Sequence, residues 1–66
     1  MYKVTLWDTF DNETITIKED FKTVEQAEEY IFKHFNITVK GADKIEIRNQ
    51  TTNMIAGSHS TSGRKI

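Results

Sequence analysis

Apolar and polar residues alternate at the start of the chain. Tyr2, Val4 and Leu6 fall on one side of an extended strand, with Lys3, Thr5 and Trp7 on the other. This period of two predicts a strand over Tyr2–Trp7. Asp8-Thr9-Phe10-Asp11-Asn12 is rich in turn formers and predicts a hairpin loop. A second strand is predicted over Glu13–Lys18, where Ile15 and Ile17 alternate with Thr14, Thr16 and Lys18.

The period then changes. Val24, Ala27, Ile31 and Phe35 recur at helical spacing and form one apolar stripe. Thr23 and Gln26 have the spacing of a capping box, in which the threonine hydroxyl takes a free backbone N–H and the glutamine reaches back to the cap. Glu25, Glu28 and Glu29 lie toward the positive end of the helix dipole, and Lys33 and His34 toward the negative end. Asn36 is a plausible stop. Ile37 and Val39 either plug the core from a loop or form a short strand turning at Lys40-Gly41, and the loop is preferred. Ile45 and Ile47 point inward between Lys44, Glu46 and Arg48, which predicts a third strand over Lys44–Arg48. After a turn at Asn49–Thr52, a fourth strand runs over Asn53–Gly57. Met54 and Ile55 have opposite parity, so one of them leaves the core face unless a bulge intervenes. The stretch from Ser58 to Ile66 is small, polar and basic at its end, without periodic apolar content. It is expected to be a flexible tail.

The expected fold is therefore α+β: a two-layer ββαββ domain over residues 1–57, followed by a tail over 58–66. One helix packs on one face of a four-stranded, mainly antiparallel sheet. The strand order 2-1-3-4 is preferred because it makes every neighbouring pair antiparallel, whereas 1-2-3-4 would pair the second and third strands in parallel across a right-handed crossover.

With a single helical layer, the second sheet face is left for water or a partner. Period two places Lys3, Thr5 and Trp7 there, with Thr14, Thr16 and Lys18 and with Lys44, Glu46 and Arg48. That is four basic residues against one acidic, around the only tryptophan of the chain. Glu25 and Glu29 occupy the outer side of the helix, so a chain of formal net charge -1 is expected to be polarised. The bland alternative is that Trp7 folds against Phe10, or that the tail with Ile66 covers it.

Composition narrows the function classes. The chain has 66 residues, room for one small domain with a limited core. It has no cysteine, so no disulfide or thiolate metal site is available, which fits a reducing, cytoplasmic setting. Hydrophobic residues make up 36% and charged residues 29%, the balance of a folded chain. No apolar run is long enough to span a bilayer, and no signal peptide is expected. Neither a membrane partner nor a cofactor is implied. The near-neutral charge argues against non-specific binding to duplex DNA.

Catalytic chemistry is thinly represented. His59 stands among Ser58, Ser60 and Ser62, but a tail cannot hold a nucleophile and its base in register. Asp8, Asp11 and Glu13 crowd the first loop, where turn preference accounts for both aspartates and no calcium-loop spacing is present. No phosphate loop or dinucleotide fingerprint occurs. The chain is not expected to be an enzyme.

The segments FKTVEQAEEYI, opening the helix, and DKIEIRNQTTNMI, forming the second hairpin, give the chain a resemblance. It is similar to short ββαββ proteins of unknown function encoded by low-GC Gram-positive bacteria and their phages. The likeness is one of architecture and of a Lys, Ile, Asn and Thr bias without proline. It implies a small cytoplasmic accessory or host-interacting role and no catalytic residue.

Two functions follow as expectations. The first is a non-enzymatic protein-interaction module, binding a partner protein or a second copy through the open face, or through an exposed sheet edge by strand addition. Trp7 and Arg48 would be its anchors, and Lys3, Lys18 and Lys44 its rim. The alternative is binding of single-stranded RNA, with Trp7 stacking on a base. Lys3, Lys18, Lys44 and Arg48 would hold phosphates, and Arg64 and Lys65 would add reach.

Overall fold

The computed structural model describes residues 1–65. The elements run β1 (Tyr2–Asp8), β2 (Glu13–Phe21), α1 (Val24–His34), β3 (Phe35–Ile37), β4 (Asp43–Asn49) and β5 (Ile55–Arg64). The fold is α+β, with one helix and a curled antiparallel sheet of five strands in the order β2-β1-β4-β5-β3. The four-stranded ββαββ expectation is thus corrected by one strand, which directly follows the helix. The expected order survives within β2-β1-β4-β5.

The helix begins where its cap signal stands. The Thr23 side chain accepts from the Gln26 N–H at 3.1 Å, and Gln26 Oε1 accepts from the Lys22 N–H at 3.0 Å. The reach-back bond lands one residue before the cap residue itself. At the other end, Phe35 turns to extended backbone at φ -129° and ψ 147° while its N–H still bonds to the Ile31 carbonyl. The chain therefore passes from α1 into β3 without a loop. Ile37 lies in this short strand and packs against the core, so the loop preferred for it is corrected. Val39 belongs to the following turn and is 95% exposed.

The core lies between α1 and one face of the sheet. Val4, Ala27, Ile31, Phe35, Ile45 and Ile47 are all buried and form one cluster, with Tyr2, Leu6 and Ile17 packed around it. Cross-strand pairs fix the face: Val4 is opposite Ile47 and Leu6 is opposite Ile45. Residues directly opposite in an antiparallel pair share a face. Lys3–Arg48, Thr5–Glu46 and Trp7–Lys44 therefore share the face away from the helix.

The segment expected to be a tail is the main correction. Ser58 to Arg64 belong to β5, a 10-residue strand paired with β4 on one side and β3 on the other. Ile66 lies outside the described residues. Sequence propensity for this strand is weak; its order comes from neighbours on both flanks. Thr61 is buried, and its hydroxyl donates to the Asn36 carbonyl at 2.8 Å and accepts from the Gly63 N–H at 3.0 Å. His59 Nε2 lies 2.7 Å from Glu28 Oε2, tying β5 to the helix. The Lys65 N–H donates to the His34 carbonyl at 2.8 Å, and Lys65 Nζ to the Phe32 carbonyl at 2.8 Å. A cation thus neutralises the carbonyl end of α1.

The turn from β3 to β4 crosses β5 at Thr61. A Cβ on Gly41 would lie 2.4 Å from the Thr61 carbonyl carbon and oxygen, closer than any side chain tolerates. The glycine there is a requirement of the crossing. Gly57 has a related role: its missing side chain leaves space for the Glu28 carboxylate, whose Oε1 would be 3.0 Å from a Cβ. That carboxylate can then lie over β5 and meet His59.

Candidate functional site

The register resolves the face away from the helix into rows. One row is Thr14, Trp7, Lys44 and Ser60; the next is Thr16, Thr5, Glu46 and Ser58. A third joins Lys3, Arg48 and Ile55. Trp7 is half-buried, and Lys44 beside it is exposed. Trp7 and Lys3 are four residue steps apart along β1, about 13 Å at the usual rise. The predicted site residues thus fall into two pairs, Trp7 with Lys44 and Lys3 with Arg48, at opposite ends of the face.

Lys18 does not join them. Between Val4 and Thr5 the register of β2 jumps from Lys18 to Thr16, which leaves Ile17 as the extra residue of a β-bulge. The alternation resets there, and Lys18 turns to the helix side. Its ammonium lies 5.3 Å from the Tyr30 ring centroid and 5.8 Å from that of Phe21, a cation–π position on both rings. Arg64 and Lys65 are also spent elsewhere. The Arg64 guanidinium lies over the Phe35 ring at 5.2 Å, and Lys65 bonds to carbonyls at the end of α1.

Arg48 is held in place rather than free. It donates to the Asn53 carbonyl at 3.0 Å and to Glu46 Oε1 at 3.2 Å. Glu46 is the one acidic residue of the three rows, so its charge is partly spent on Arg48. Lys3 and Lys44 dominate what remains. Ile55 settles the parity question at β5. Gly57 is opposite Ile47 and Ile55 is opposite Arg48, so a bulge at Ala56 puts Ile55 on the Trp7 face, half-exposed. Ile55 is at the Arg48 end and cannot form one patch with Trp7.

Thr5 sits at the centre of this surface and is only 2% exposed. Its hydroxyl has no hydrogen-bond partner among the described residues. Thr5 is therefore covered, although it lies on the face away from α1. An unpaired buried hydroxyl costs about 1–3 kcal/mol. Thr5→Val keeps the β-branched shape and removes the orphan group. Thermal melts should show a gain of about 1 kcal/mol; a clear loss would mean that the hydroxyl is bonded in solution.

Phe10 is a surface feature that the sequence did not disclose. It is 94% exposed at the tip of the β1–β2 hairpin and does not cover Trp7. The tip is ordered by Asp8, whose Oδ1 accepts from the Phe10 and Asp11 N–H groups at 2.9 and 3.3 Å. Thr9 bonds through both its N–H and its hydroxyl to Asp43 Oδ1, at 3.2 and 3.1 Å. Asp8 and Asp43 are thus turn-building residues.

Among the described residues, the hydrogen-bond partner of the His59 ring is the Glu28 carboxylate. The histidine shares the helix face with Gly57 and Thr61, whereas Ser58 and Ser60 point to the other side. Its neighbours are Glu28 and the Phe32 ring, which it meets edge-on at 5.1 Å. Among the described residues there is no cavity of ligand size and no group of three or more His, Asp or Glu placed to hold a metal ion. Nor is any described helix long and apolar enough to cross a membrane. The chain matches no family model, no curated protein and no solved structure with which it was compared.

Proposed function

We propose that the chain is a non-enzymatic interaction module that binds a partner protein through the sheet face around Trp7. The observation that carries this reading is the pairing of Trp7 with Lys44 on a face that α1 leaves free. A half-buried indole offers apolar area at little entropic cost, because its strand neighbours already restrain it. Lys3, Lys44 and Arg48 outnumber Glu46, so the complementary surface is acidic at its rim with an apolar socket for the indole. The helix side, with Glu25 and Glu29 exposed, suits no such partner.

The same face supports a second reading less well. Single-stranded RNA needs a stacking platform, and the rows supply one aromatic where recognised modules use two or three. The loss of Lys18, Arg64 and Lys65 from the face removes three of the cations that would hold phosphates.

Affinity purification from the chain's own host, read by mass spectrometry and by nucleic-acid sequencing, tests both. The protein reading expects one specific protein, lost with Trp7→Ala and with Lys44→Glu while the melting temperature is kept. Recovery of RNA, with binding that falls steeply with salt, would favour the second reading instead. A partner retained by both variants would refute the assignment of this face.

A further inference from the structure

Strand β2 borders the sheet, and all its residues except Ile17 and Phe21 are exposed. Among the described residues no strand pairs with its outer side, which leaves an edge that is a template for another strand. Two register jumps limit that template: the extra residue at Ile17, and a second between Lys18 and Phe21, where Asp20 has a φ of 67°. Bulges of this kind interrupt strand addition. The regular part of the edge is Glu13–Thr16, reaching Ile17. At its centre Ile15 lies on the helix side, yet it is 41% exposed, because the buried residues of α1 pack over β1 and β4.

We infer that this edge pairs with the same edge of a second copy, antiparallel, about a two-fold axis at Ile15. Symmetry then fixes every pair. Ile15 meets Ile15 of the second copy, which covers the half-exposed side chain on both. Thr14 meets Thr16 twice on the opposite face, a favourable hydroxyl pair in antiparallel sheets. Glu13 of each copy meets Ile17 of the other and lies beside the other's Lys18, which the bulge has turned to the same side. Neighbouring registers are poorer. An axis at Thr16 sets Glu13 against Glu19. An axis at Thr14 sets Ile15 against Glu13. A half-step register sets Ile15 against Thr16 and places the two helices on opposite sides. In the Ile15 register both helices share one side, and the two Trp7-bearing faces become one continuous surface. The paired stretch is short, so the association is of the weak, transient class.

Sedimentation velocity of the chain from micromolar to millimolar concentration tests this, with amide chemical shifts followed over the same range. The expected result is a sedimentation coefficient that rises with concentration and shift changes confined to Asn12–Lys18. Ile15→Lys should abolish the rise and leave the melting curve intact, since Ile15 lies outside the buried cluster. Glu13→Lys and Lys18→Glu should each weaken association, and the double variant should restore it. A chain that stays monomeric at all concentrations overturns the proposal. So does association that survives Ile15→Lys, or shift changes that centre on Trp7 and are lost with Trp7→Ala.

Discussion

A chain ending at Gly57 will not show a cooperative thermal transition. The truncation removes Ser58 to Arg64 from β5, and with them the sheet partner of β3 and most of the outer partner of β4. The turn at Gly41 loses the Thr61 backbone on which it rests, and Glu28 loses His59. The end of α1 also loses the Lys65 ammonium. Domains of this length have little stability in reserve, because they bury a smaller share of their surface than larger ones. Circular dichroism on heating reads the result directly. A melt like that of the full chain would mean that residues 58–64 do not belong to the sheet.

Ile31→Ala should cost about 2–5 kcal/mol, the range for emptying a buried aliphatic site. Ile31 is fully buried between Ala27 and Phe35 on its own side and Val4, Ile45 and Ile47 across from it. The sheet is paired on both sides of β1 and β4, so it cannot collapse into the hole, and the upper half of that range is expected. The melting temperature should fall by about 10 °C or more, at the sensitivity usual for so short a chain. Urea unfolding with an unchanged slope would confirm a loss of stability alone. A variant that melts with the parent would mean that the apolar stripe of α1 does not face the sheet.

These two variants mark the limits of what could be read before the structure. The stripe of α1 and the inward residues of β1 and β4 were legible because burial forces a period, and each period had several apolar residues to show it. All six buried hydrophobic residues come from those patterns. β5 beyond Gly57 was not legible, because no apolar residue there carries a period. Gly57, His59 and Thr61 face the helix, and each fits for a private reason: room for Glu28, a bond to Glu28, a bond to Asn36. β3 was hidden because Phe35 is both the last residue of the helical stripe and the first of a strand. Lys18 was misplaced by the bulge at Ile17, which resets the alternation without any glycine or proline to mark it. Trp7, Lys3, Lys44 and Arg48 share the sheet face that the alternation gave them, since β1 and β4 pair without interruption.

The proposed interface requires Trp7 to stand at the surface of the face that α1 leaves free. It is the sole tryptophan, so its emission reports that face without a label. Acrylamide quenching of the isolated, folded chain is the direct measurement. Trp7 should be accessible to the quencher, and its emission should lie to the red of a buried indole. Blue-shifted emission that resists quenching in the monomer would contradict the account, because the indole would then be covered and the proposed interface would have lost its anchor.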